Sequence, residues 1–201
     1  MGDLDFEIIA RTWPYLLSGL QYTLQLTVVA ALGGVAFGTL LAMARLSSNK
    51  TLSLIAAAYV NLMRSIPLLL VIFWFYFLMP IVLQKITGAE RPVQLGADRS
   101  AYITFIMFEA AYFCEIMRAG IQSISKGQVN AGYALGLTYK QSMQLVILPQ
   151  AFRNMLPILL TQTIVLFQDV SLVSLLNVTD FVGAAVLSLI HISEPTRLRR
   201  I

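Results

Sequence analysis

Charged positions interrupt this chain at wide, uneven intervals. Between Arg11 and Arg45 there are none, and twenty uncharged residues separate Arg64 from Lys85. A helix needs about 20 apolar residues to cross the hydrocarbon core of a bilayer. The pattern predicts four spanning helices, over Ser18 to Ala44, Leu54 to Met79, Ala101 to Ala119 and Asn154 to Leu175. In the first, Gly34 and Gly38 form a GxxxG spacing that lets a second helix approach closely. In the second, Pro67 removes a backbone donor, so a kink or break is expected there. Residues 80–100 read as a polar loop punctuated by Pro and Gly.

Residues 128–149, QVNAGYALGLTYKQSMQLVILP, are half polar and fit neither a span nor a loop. Ser125 and Gln128 have capping-box spacing, and so do Thr138 and Gln141. Gly136 is placed to end the first short helix in a left-handed turn. Met143, Val146 and Ile147 share one face of the second, and Pro149 is expected to close it. The segment therefore reads as two short helices meeting at a glycine bend. Its small residues Ala131, Gly132, Ala134 and Gly136 offer a flat surface, which either rests on lipid or docks on a partner.

Composition supports a membrane class. Hydrophobic residues make up 58% of the chain and charged residues 12%, against about a quarter charged in soluble domains. The start, MGDLDFEII, is acidic and unlike a secretory signal. Lysines and arginines favour the cytoplasmic side. That rule places the 45–53 turn and the 118–153 segment inside, through Arg45, Lys50, Arg118, Lys126, Lys140 and Arg153. The other side has Arg11, Lys85, Arg91 and Arg99.

Little chemistry is available. The single cysteine, Cys114, lies in an apolar stretch and reads as a small buried hydrophobe. With one cysteine and one histidine (His191), no zinc-type metal site is expected, and no GxxxxGK[ST] phosphate loop is present. No cofactor and no nucleic-acid partner are expected. No nucleophile, base or metal constellation argues for an enzyme.

Charges and amides inside spans are costly and default to functional candidates. Arg64 lies one turn before Pro67, where it either snorkels to the interface or lines a pathway. Glu115 and Arg118, three residues apart, are placed to pair. Glu109 has no local partner and faces a cavity or another helix, or carries a proton. Gln162, Gln168 and Asp169 interrupt the fourth span. Arg64, Glu109, Gln162, Gln168 and Asp169 are the candidate substrate pathway, with interhelical pairing as the alternative for the two acids.

The end of the chain changes texture abruptly. LSLIHISEPTRLRRI resembles a translated sequencing adapter, and the apolar run before it, Phe181 to Ile190, is too short to span. We expect residues 1–185 to be the domain and residues 186–201 to be a non-native tail. Setting the tail aside removes three arginines and Glu194, which takes the net charge from +4 to +2.

A family resemblance rests on specific strings. Gly136 followed by Val146-x-Leu148-Pro149 is similar to the EAA-x3-G-x9-I-x-LP cytoplasmic loop of ABC-importer permease subunits. In that register Asn130, Ala131 and Gly132 stand where the motif has Glu-Ala-Ala, so the acid is missing. The Glu109-Ala110-Ala111 string is a decoy inside the third span, since Glu115 stands where the motif needs Gly. RAGIQSISKGQ at 118–128, LPQAFRNMLP at 148–157, QDVSLVSLL at 168–176 and RSIPLLL after YVNL resemble the polar amino acid branch, most closely its glutamate/aspartate permeases. The likeness covers about residues 12–185.

The resemblance implies an all-α, type I ABC-importer (MetI-like) transmembrane domain, with about four complete spans of an expected five and a truncated C-terminus. It implies a multi-pass subunit of the bacterial cytoplasmic membrane that moves a polar amino acid, of the glutamate or aspartate kind. Its partners would be ABC ATPase subunits, a second permease subunit, a periplasmic or surface substrate-binding protein and membrane lipid. ATP would be hydrolysed in a separate chain. The ATPase-coupling loop would contain Gly127, Gln128, Asn130, Ala131, Gly132, Ala134, Leu135, Gly136, Leu148 and Pro149. The rival reading is a secondary transporter or channel subunit with no ATPase partner.

Overall fold

A computed structural model of the chain describes the backbone of residues 6–193 and the side chains of residues 12–188. Those residues are helical, joined by short turns. Helix α1 spans Phe6–Arg45 and α2 spans Lys50–Ser65. Helix α3 (Leu68–Phe73) passes through a π turn (Trp74–Leu78) into α4 (Met79–Thr87). Helix α5 spans Ala97–Gln122. Then come α6 (Lys126–Ala134), α7 (Tyr139–Ser142), a second π turn (Met143–Ile147), α8 (Leu148–Asp169), a 3-10 stretch (Val170–Leu176) and α9 (Phe181–Ser193).

Four stretches are long and apolar enough to cross a bilayer: Thr12–Arg45, Leu68–Thr87, Ala97–Gln122 and Tyr139–Leu176. Burial makes α5 the central one. The most apolar window of α5 is 61% buried, against 33% or less in the others. Around it the burial pattern is that of a membrane protein. Leu32, Leu40, Leu160 and Ile164 stand exposed on the outer helices, where lipid is as apolar as they are.

Helices α1 and α5 run parallel and nearly touch at backbone level. A Cβ on Gly38 would stand 2.9 Å from the Ala110 carbonyl oxygen and 3.0 Å from the Cys114 nitrogen. A Cβ on Gly34 would stand 2.9 Å from the Glu109 Cβ. The GxxxG spacing therefore does the packing expected of it, against the third span. Cys114 is wholly buried in that seam and unpaired. Helix α8 runs antiparallel to α5. Asn154 bonds Ser123 at one end (2.9 Å), and Gln162 reaches Glu109 further along. The turn after α1 and the α6–α7 hairpin consequently share one end of the bundle. That end carries the six cations named above, so the positive-inside rule makes it cytoplasmic.

Two expectations about prolines have different outcomes. At Pro67 the break is complete. Ile66 is extended (φ −105°, ψ 134°), as steric conflict with the proline ring demands, and the helix restarts on the Pro67 carbonyl. Pro149, expected to close a short helix, instead lies in the first turn of α8, and the helix runs unbroken from Tyr139 to Leu176. The preceding π turn accommodates it, with the Leu148 N–H bonding the Met143 carbonyl five residues back. The same device precedes Pro80, where the Met79 N–H bonds the Trp74 carbonyl. In both places the widened turn lies in front of a residue with no N–H to give and a ring that crowds the previous turn. Because of it, the expected polar loop at residue 80 is helical through Thr87, and Gly88 in the left-handed region ends it.

Gly38→Leu should destabilise the chain by about 2 kcal/mol or more, since the side chain meets backbone that cannot yield. A thermal midpoint in detergent at the wild-type value would show that the α1–α5 seam is looser than this. Gly127→Ala, where the nearest atom to the new carbon is 3.8 Å away, is the neutral control.

Candidate functional site

The cytoplasmic hairpin is built from local rules. Helix α6 ends in a double-bonded turn, in which the Leu137 N–H donates to the Gly132 carbonyl (3.1 Å) and the Gly136 N–H to the Tyr133 carbonyl (2.9 Å). This closure needs a left-handed residue after the helix, and Gly136 supplies it with φ 77°. Helix α7 starts with a complete capping box, with the Gln141 N–H on the Thr138 hydroxyl and the Thr138 N–H on the Gln141 side-chain oxygen. The other expected box does not form. Ser125 is the N-cap of α6, but its side chain makes no cap bond, and only its carbonyl accepts from the Gln128 N–H.

The hairpin is pinned from beneath and open above. Gly132 and Ser142 are buried against each other, and a Cβ on Gly132 would stand 2.9 Å from the Ser142 Oγ. Ile147 is buried, with Met143 and Val146 partly so, on the inward face of the π turn. On the other side Leu135 is 82% exposed and Tyr139 68%, on either side of the Gly136 bend. Gly127, Gln128, Asn130, Ala131 and Ala134 are exposed along α6. Leu148 and Pro149 do not belong to this surface. They lie on the continuous rod that leads from it into the membrane.

A second region forms where α2 breaks. Arg64, Ser65, Ile66, Pro67, Phe108, Tyr112, Gln162 and Asp169 line a cleft of about 420 Å³. The extended Ile66–Pro67 step opens one wall, and α5 and α8 make the others. Arg64 and Asp169, opposite charges, both reach it. Glu109 lies behind it, fully buried, and the Gln162 amide donates to both its carboxylate oxygens (3.1 and 3.3 Å). Glu109 therefore faces another helix. Gln168 is exposed on α8 and is not among the cleft's lining residues.

Arg64 does more than snorkel. Its guanidinium lies 5.4 Å from the centre of the Tyr112 ring and 3.9 Å from a Glu115 oxygen. Glu115 also pairs with Arg118, as its spacing predicts, and with Arg45 at the end of α1. One carboxylate thus joins three arginines from three helices. Tyr112 was missed as a candidate, although it stands three residues before Glu115 and four after Phe108 on the same helix face. Among the described residues no group of three or more His, Cys, Asp or Glu is placed to hold a metal ion.

A family model described as the inner membrane component of binding-protein-dependent transport systems matches residues 34–191. The glutamate/aspartate import permease protein GltK of Escherichia coli O6:H1 is 52% identical over 185 residues, which is 92% of this chain and 82% of the relative. The L-cystine transport system permease protein TcyB of Bacillus subtilis is 37% identical over 88% of this chain and 72% of its own length. In structure, an amino acid ABC transporter crystallised with histidines matches with a TM-score of 0.80 and 31% identity, over 96% of this chain and 85% of that one. The inward-facing MetNI methionine transporter matches with a TM-score of 0.57 at 23% identity, over 84% of this chain and 74% of that one, a likeness of fold alone.

Gln162→Leu should leave a buried carboxylate without its donor and cost about 1–3 kcal/mol. Adding Glu109→Met to that variant should recover part of the loss, since an apolar pair is tolerated where a lone acid is not. Strictly additive thermal midpoints for the two substitutions would mean that the side chains do not depend on each other. Separately, Thr138→Ala should cost about 1 kcal/mol of local stability, read as faster amide exchange over residues 139–142.

Proposed function

The chain belongs to the family of binding-protein-dependent transport system inner membrane components, and from that premise we propose how it moves its cargo. It is a multi-pass permease subunit of an amino acid ABC importer in the cytoplasmic membrane. As a transport component it supplies a route; ATP is hydrolysed in partner chains. We assign the cargo as glutamate or aspartate, supported by 52% identity to a permease with that name. The working assembly has two ATPase subunits on the cytoplasmic side, a second permease subunit beside this one, and a substrate-binding protein at the outer face.

The observation that carries the coupling assignment is the bend at Gly136. It presents Leu135 and Tyr139 to the side that carries the excess of cations, on a hairpin whose own bonds hold its shape. A groove on an ATPase would receive this bend. Motion of the ATPase would then pass along the continuous helix from Tyr139 to Leu176. At 1.5 Å per residue, Gln162 stands about 35 Å along that rod from Tyr139. Rotating the rod therefore displaces the α8 wall of the cleft against α5. The cleft suits a zwitterion, with Arg64 for a carboxylate and Asp169 for an ammonium group. Arg64, Gln162 and Asp169 are the proposed pathway residues, with Glu109 behind them. Residues 186–193 continue α9, and residues 194–201 of the expected foreign tail lie outside the described residues. The non-native origin of residues 186–201 stands as a proposal, tested by reading an independent clone of the gene.

Gly136→Asp should abolish substrate-stimulated ATP hydrolysis in the reconstituted importer, because φ 77° disfavours a side chain and a carboxylate would hold the bend off its groove. Stimulation at the wild-type level would overturn the coupling assignment. Uptake driven by an ion gradient without ATP would favour a secondary transporter instead.

A further inference from the structure

Arg64 stands at the edge of the cleft, on the last turn of α2. It is tethered, and its donors are free. A guanidinium has five N–H groups. Among the described residues, the contacts of Arg64 are the Tyr112 ring face at 5.4 Å and Glu115 at 3.9 Å, the latter beyond hydrogen-bond length. The reason lies in Glu115. Its Oε1 pairs with Arg118, and its Oε2 takes Arg45 and the Arg118 Nε (3.2 Å). The two nearer arginines take up the bonding geometry of the carboxylate, and Arg64 is attracted without being bonded. Three cations on one anion leave two uncompensated positive charges. Arg64 carries that excess toward the cleft, with its side chain 39% exposed against 15% for Arg45 and 26% for Arg118.

Resting on the reading of the cleft as the substrate path, we propose that Glu115 and Tyr112 are positioning residues that hold Arg64 as the carboxylate-recognising group of that path. Glu115 keeps the guanidinium from being driven away by Arg45 and Arg118. Tyr112 fixes its plane from below, as an aromatic face does within about 6 Å of a cation. The free donors are thereby held in place before a ligand arrives, so less conformational entropy is lost on binding. The opposite wall is complementary. The Gln162 amide nitrogen is turned to Glu109, which leaves its amide oxygen, together with Asp169, to accept from an ammonium group. The recognised molecule is an amino acid held by its two charged ends.

The test uses the assembled importer in nanodiscs and equilibrium binding of radiolabelled L-glutamate. Arg64→Gln should weaken binding at least about tenfold, the scale of a lost charge-assisted bond. Glu115→Asp, which keeps the charge but withdraws it, and Tyr112→Leu, which leaves the Arg45–Glu115–Arg118 contacts intact, should each weaken it about three- to tenfold. Tyr112→Phe should bind as wild type does. On the Arg64→Gln background, Glu115→Asp and Tyr112→Leu should have no further effect, because both act through Arg64. If either weakens binding equally on both backgrounds, or neither weakens it on the wild-type background, the positioning role is overturned. If Arg64→Gln binds L-glutamate as tightly as wild type, the cleft reading itself fails.

Discussion

The cytoplasmic half of this protein is organised by one carboxylate. Glu115, on the central helix, draws in Arg45 from the end of α1, Arg118 one turn along α5 and, at longer range, Arg64 from the last turn of α2. An exposed pair of this kind contributes little, because water screens it and the side chains lose freedom. Here the carboxylate is 22% exposed and Arg45 15%, so screening is partial while the desolvation is shared over several bonds. What matters more is where the partners come from. Helix α1 ends at a residue bonded to this group, and the last turn of α2 carries one attracted to it. The extended step that Pro67 imposes follows directly, so the cleft opens immediately beyond the cluster.

Two kinds of contact then divide the labour. The α1–α5 seam is close-packed through Gly34 and Gly38 and cannot slide without a backbone collision. The α5–α8 contact is of a different kind. It adds polar links at separated points, Asn154 to Ser123 and Gln162 to Glu109, to the packing of Gly120 on Met155 and the burial of Ala151 and Leu166. Side-chain bonds of this sort can be exchanged, whereas backbone packed against backbone has no second partner to take. The rod that carries these links starts at the hairpin, which is where a partner's force would enter.

Much of this was legible in the sequence, for a physical reason in each case. Uncharged runs announced the spans because lipid tolerates few charges. Pro67 announced the break, and Gly136 and Thr138–Gln141 announced their turns, because those rules act within a few residues. The failures are equally physical. Pro149 reads as a stop because a proline has no N–H to give; a π turn just before it, closed by the Leu148 N–H, makes room for it, and nothing in Met143–Ile147 advertises the change. Ser125–Gln128 has the spacing of a capping box without its side-chain bond. Gln168 reads as a pathway donor beside Arg64 and Gln162, yet neighbours on a helix point about 100° apart, and of Gln168 and Asp169 it is Asp169 that lines the cleft. Tyr112, and the role of Arg45 at the Glu115 cluster, depend on contacts between helices. Spacing along one helix could anticipate the Arg118 pair and nothing further.

The missing acid of the cytoplasmic motif bears on what that loop must be. Asn130 stands in the place of the glutamate, exposed on α6. The features that hold the hairpin together all lie elsewhere: the paired bonds after Ala134, the buried Gly132–Ser142 contact and the Thr138–Gln141 box. None of them needs a charge at position 130. A side chain whose identity changes without disturbing any of these contacts is not what shapes the surface. Small size is required at Gly132, where a Cβ would meet Ser142, and backbone freedom is required at Gly136. The loop is therefore defined by its close approach and its bend. An acid at position 130, midway along α6, would add attraction to a partner's cations, but it would not change the fit.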